Sequence, residues 1–142
     1  MALSRGPVQG QALWAVWLGE AYLAAGRIAD ARQMVAGALG PAVAQQERGD
    51  HAFALRALGQ IAASGEPPDV NEAETRYHEA LELAEALELR PLVAHCHLGL
   101  GKLYRRGGRM AEARSELSAA IEMFRSMEIT FWLPEAETEL AS

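Results

Sequence analysis

The dipeptide Leu-Gly stands at positions 18–19, 58–59 and 100–101, so it recurs after 40 and then 42 residues. Downstream of each copy comes an alanine pair seven residues apart: Ala31 and Ala38, Ala73 and Ala80, Ala113 and Ala120. A bulkier residue lies midway in each pair, namely Val35, Tyr77 and Leu117. Self-similarity at this period is the mark of a solenoid, whose units bury their apolar faces only by stacking on a neighbour.

The period inside each unit is helical. Leu13, Trp17, Ala21 and Ala24-Ala25 follow i, i+4, i+8 spacing until Gly26 stops the run. In the third unit one helix is expected over 91–106, a turn at Gly107-Gly108, and a second helix over 109–126. The middle turn is enlarged to Ser64-Gly65-Glu66-Pro67-Pro68, with Asp69 as N-cap and Glu72 placed for a capping box. Pro91 suits a first helical turn. Seven helices are expected, near 10–25, 28–47, 50–63, 69–87, 91–106, 109–126 and 129–141. Gly37, Gly40 and Pro41 are expected to kink or interrupt the second. The fold class is all-α: an α-solenoid of three helix hairpins (about 10–48, 50–88 and 91–127) and a capping helix, in one domain over 1–142. Composition agrees. Alanine is about a fifth of the 142 residues and only 6% are aromatic, which suits helices and excludes an all-β fold.

The small residues have a steric purpose. A glycine on the first helix and alanines on the second fall on facing stripes and let the two helices approach closely. Tyr22 and Tyr104, three residues after their glycines, are placed to wedge beside the contact.

This order of residues resembles the tetratricopeptide repeat. Trp14-Ala15-Val16-Trp17-Leu18-Gly19-Glu20-Ala21-Tyr22 carries the pattern in the first unit. His97 to Tyr104 and Ala113 to Ala120 carry it in the third. The middle unit departs, with Ala62 in place of the tyrosine. The period is longer than the family's usual 34 residues. The stretch Leu89 to Gly101 is also similar to C-terminal repeats of bacterial multidomain ATPase–cyclase signalling regulators. The resemblance implies a right-handed superhelix whose first helices line a groove for a protein or peptide. Its groove positions would be Leu13, Val16, Glu20, Phe53, Arg56, Gln60, His95, Leu98, Lys102, Arg105 and Arg106. That surface would run from apolar to basic and suit an acidic segment. Glu20 and Gln60 stand where carboxylate-clamping members need asparagine, which disfavours a chaperone adaptor.

Other chemistries fit poorly. His95 and His97 sit two residues apart on one helix, about 200° around its axis, so they cannot converge on a metal. Cys96 points away from both and reads as a packing thiol. Gly99-Leu100-Gly101-Lys102 lacks the spacing and strand of a phosphate loop. The glutamates from Glu72 to Glu88 read as a solvated face, and Asp30, Asp50 and Asp69 as caps. No catalytic residues and no cofactor are expected. A net charge of −6 disfavours nucleic acid and anionic membranes. A lone cysteine and an N-terminus unlike a signal peptide make a cytoplasmic setting the expectation.

Lys102, Arg105, Arg106 and Arg109 form the one local cationic excess. They are either helix-end charges or a site for an acidic ligand. The first helix bears Leu13, Trp14, Trp17 and Leu18 around much of its circumference. Trp14 and Trp17 are therefore expected to mediate self-association as a homodimer, or contact with earlier repeats of a longer chain. The expected function is a non-catalytic interaction module in bacterial signalling, or the regulatory tail of a larger regulator.

Overall fold

A computed structural model describes the backbone of residues 11–44, 48–129 and 132–141, and the side chains over 15–39, 48–129 and 132–141. The described residues form seven helices: α1 (Gln11–Ala24), α2 (Ile28–Ala44), α3 (Arg48–Ala63), α4 (Val70–Ala86), α5 (Arg90–Arg106), α6 (Met110–Ser126) and α7 (Leu133–Ala141). They pack as sequential hairpins, α1 on α2, α3 on α4 and α5 on α6. The first helices α1, α3 and α5 also touch one another in order, and α7 packs on α6.

Each hairpin closes on its glycine. A Cβ at Gly19 would collide with Cγ2 of Val35, one at Gly59 would stand 3.2 Å from the Tyr77 ring, and one at Gly101 2.6 Å from the Leu117 side chain. The alanine pairs flanking these bulky residues are all buried. Glycine and bulky residue thus form a knob and its hole in every unit, at the same two sequence positions. In the middle unit Ala62, standing where the others have tyrosine, packs in one cluster with Tyr77, Leu103 and Tyr104.

Three helix ends repeat one device. Behind α4, α5 and α6 a residue in the left-handed region turns the chain: Glu88 (φ 57°), Gly108 (φ 80°) and Glu128 (φ 58°). The next N–H then reaches back to the helix: Leu89 to the Ala84 carbonyl, Arg109 to Tyr104 and Ile129 to Phe124, each at 2.9 Å. Gly26 (φ 80°) does the same after α1. Glycine meets this conformation without strain, whereas a β-carbon makes it unfavourable by about 1–2 kcal/mol. Glu88→Gly and Glu128→Gly should therefore each raise stability by about 0.5–1 kcal/mol in urea denaturation. No gain at either site would mean that the glutamate side chain offsets the strain.

Two helices differ in detail from expectation. The second helix runs unbroken from Ile28 to Ala44 through Gly37, Gly40 and Pro41. Pro41 stands in its last turn, where its missing N–H forfeits only one internal bond, and a Cβ at Gly37 would meet nothing within 4 Å. The capping helix begins at Leu133 rather than 129, with Pro134 in its first turn. Asp69 does cap α4, accepting the Glu72 N–H at 3.0 Å. The box is not reciprocal, because the Asp69 N–H goes to the Ala62 carbonyl and the Glu72 carboxylate pairs with Arg32.

Candidate binding groove

A groove of about 560 Å³ runs along the face made by α1, α3 and α5. Val16 and Glu20 line it from α1; Phe53, Arg56 and Gln60 line it from α3. His95, Leu98, Lys102 and Arg106 follow from α5. Each of these is a groove position expected from the sequence, since residues three or four apart on a helix share a face. Among the other expected positions, the side chain of Leu13 lies outside the described residues, and Arg105 is not on the lining. Arg105 turns instead toward α7, where its Nη1 meets Glu139 Oε1 at 3.3 Å.

The groove walls are joined by ion pairs. Arg56 Nη2 donates to Glu20 Oε2 at 2.8 Å and links α3 to α1. Lys102 Nζ donates to Glu135 Oε2 at 2.6 Å and links α5 to α7. Most of the basic end is therefore paired: Glu135 and Glu139 take up Lys102 and Arg105, while Glu137 pairs with Arg125. Arg109 is engaged elsewhere, with Glu74 and Glu112, and stacks 4.2 Å over the Tyr104 ring. Of the four clustered cations only Arg106 has no carboxylate partner among the described residues, and it is exposed.

Four of the lining residues that sequence reasoning missed bear on what the groove can hold. Trp17, 57% exposed, stands in the groove wall. The side chain of Trp14 lies outside the described residues. Trp132 and Glu135 close the end of the groove from the α7 side. Tyr77 enters from α4, in the second layer. Its signal was visible: tyrosine stands where the other two units carry valine and leucine.

The His95-Cys96-His97 stretch separates as its helical spacing requires. His95 faces the groove, edge-on to Phe124 at 5.3 Å and Trp132 at 4.9 Å. Burial, helped by the Arg56 charge, lowers its pKa to about 4, so the ring is neutral at physiological pH. His97 meets Glu116 on α6 at 2.6 Å. Cys96 is buried among apolar residues, which pushes its thiol up to about 12 and removes it as a nucleophile. Among the described residues no group of three His, Cys, Asp or Glu is placed to hold a metal ion.

The acidic face of α4 has structural duties. Glu74 accepts the Tyr104 hydroxyl at 2.7 Å and also pairs with Arg109, which holds its carboxyl below the usual range. Glu79, Glu82, Glu85 and Glu88 are exposed or half-buried at the surface, as a solvated face should be.

Helix hairpins stacked in order around a shared groove define a helical-repeat protein. The tetratricopeptide-repeat family model matches residues 69–126, from the N-cap of α4 to the end of α6, and that span is similar to this repeat. No curated protein matches the chain. The first hairpin lies outside the matched span, and its likeness to the third rests on the shared knob and hole, Gly19 on Val35 and Gly101 on Leu117. The match is to the repeat itself and lends no support to a link with ATPase–cyclase regulators. Tetratricopeptide repeats are interaction modules, typically non-catalytic. Among the described residues no helix is long and apolar enough to cross a membrane.

Proposed function

We propose that the chain is a protein-interaction module that holds a peptide or a helix of its partner along the α1–α3–α5 groove. The observation that carries this reading is the lining. Trp17 is more than half exposed at one wall, Phe53 and Leu98 share the lining, and among the described residues only one of the groove's cations lacks a carboxylate partner. An exposed tryptophan in a groove is the type of residue that supplies most binding energy at interfaces. Three cations (Arg56, Lys102 and Arg106) against two carboxylates (Glu20 and Glu135) leave the groove locally positive in a chain of net charge −6. That contrast favours a partner segment with an apolar anchor and acidic residues, drawn in by charge and held by the tryptophan.

A random dodecapeptide phage library selected on the purified protein tests the reading. Recovered peptides should lose at least about tenfold in affinity for Trp17→Ala, a residue whose truncation leaves no buried cavity. Peptides indifferent to that substitution, or none recovered, would overturn the groove as the binding surface.

A further inference from the structure

Tyr77 reaches the groove floor by an unusual route. It springs from α4 in the outer layer and passes between α3 and α5 through a slot made by two glycines. A Cβ at Gly59 would press on the inner part of its ring, at 3.2 Å from Cγ and Cδ1. One at Gly99 would collide with the outer part, 2.5 Å from Cε1 and Cζ and 2.9 Å from the hydroxyl oxygen. Both glycines are therefore required for the ring to lie where it does. The side chain is only 4% exposed, yet its hydroxyl has no hydrogen bond within the described residues, and Tyr77 forms part of the groove lining. The ring is buried while the hydroxyl oxygen opens onto the groove, where an acceptor can reach it.

Its neighbours on the lining lack the same thing. Arg56 commits Nη2 to Glu20, but its Nε is buried with no acceptor. Arg106 has no carboxylate among the described residues. Three donors thus line one groove without an acceptor among the described residues, Arg56 Nε buried and Arg106 open to solvent, and two of them belong to cations. We propose that Tyr77, Arg56 and Arg106 form a seat for one carboxylate side chain, an aspartate or glutamate within the bound peptide. Gln60, one turn beyond Arg56, has an unmet carbonyl oxygen on the same wall, suited to a main-chain N–H of that peptide. Burial pushes the Tyr77 hydroxyl up to about 12, against the opposing charges of Arg56 and Arg106, so it remains a donor at physiological pH. The opposing carboxylates, Glu20 and Glu135, are each already neutralised by an ion pair.

The inference rests on the groove reading above and is tested separately from it. Peptides recovered from the library are resynthesised with acetylated and amidated ends, each acidic residue replaced in turn by its amide. One Glu→Gln or Asp→Asn change should weaken binding to the wild-type protein about tenfold, the scale of a charge-assisted hydrogen bond. Against Tyr77→Phe the same change should cost less, because one of the three donors is gone while Arg56 and Arg106 remain. Tyr77→Phe should leave the urea midpoint unchanged, since that hydroxyl bonds to nothing in the protein. Recovered peptides that need Trp17 but carry no acid, or whose acids show no coupling to Tyr77, would overturn the seat and leave the groove standing. Binding that disappears on amidating the C-terminus would assign the seat to a terminal carboxylate and overturn the side-chain assignment. Peptides that ignore Trp17 would overturn both.

Discussion

Gly101→Leu should unfold the C-terminal hairpin or come close to it. Even a bare Cβ at this position would lie 2.6 Å from the Leu117 side chain and 3.3 Å from the Leu117 backbone nitrogen. The nearer contact is with a flexible group, but Leu117 is 1% exposed and has nowhere to go. It is packed with Leu98, Ala120, Ile121 and Phe124, so displacing it moves the core that joins α5 and α6 to α7. Overpacking a well-filled core costs about 1–3 kcal/mol. Four added heavy atoms at a helix crossing belong at or beyond the top of that range. A loss of about 3 kcal/mol or more in urea denaturation is expected, with less helical signal at 37 °C. Gly101→Ala should fall between, at about 1–2 kcal/mol. The contrast is Gly108, where a Cβ would meet nothing within 4 Å but the backbone has φ +80°. Gly108→Ala should therefore act through backbone strain alone, at about 1 kcal/mol. A neutral Gly101→Leu would dissolve the knob-and-hole account of the hairpins.

That account was legible because its grammar is local. Gly101 and Leu117 belong to one hairpin, and the spacing between them recurs as Gly19 with Val35 and Gly59 with Tyr77. Helical periodicity then placed Glu20, Arg56 and Lys102 on one wall without knowledge of how the hairpins stack. Contacts between hairpins were not legible. Gly99 looks like an idle glycine in a helix until α5 is laid beside α4, when it becomes half of the slot around Tyr77. Charge pairing failed for the same reason. Glu135 and Glu139 lie more than thirty residues from Lys102 and Arg105 and meet them only because α7 folds back over α5 and α6. The place of Trp17 in the groove wall was not legible either, because a helix with apolar residues on most sides does not declare which side faces a neighbour. Val16 and Gly19, not Trp17, took the inward positions.

Mild acid should destabilise the protein, and His95 should be the cause. Its ring is wedged edge-on between Phe124 and Trp132, and burial there, with the Arg56 charge beside it, holds its pKa at about 4 against an ordinary value of 6.5. Glu135 pulls in the other direction but is paired with Lys102. Because the folded value lies below the unfolded one, the unfolded chain binds more protons between pH 6.5 and 4. Stability is therefore complete above pH 6.5 and is lost as pH falls toward 4. A tenfold difference in proton affinity between the two states is worth about 1.4 kcal/mol, so the full effect reaches about 3 kcal/mol, and about 2 once the partial exposure of the ring to the groove is counted. Between about pH 7 and 5 the loss should be about 1–2 kcal/mol, readable as a fall in the urea midpoint. Glu74 and Glu112, whose carboxyls are held low by Tyr104 and by Arg109 respectively, add their own loss only at lower pH, as it passes down through their folded values. His95→Leu keeps the apolar wedge without the titrating group and should flatten the slope over the same range. Trp132→Ala opens the pocket to water and should return the His95 ring toward 6.5 in an NMR titration. A slope unchanged in His95→Leu would show that another group senses the acid. If the ring titrates as expected, acid unfolding begins where α7 covers α5, at the same side chain that lines the end of the groove.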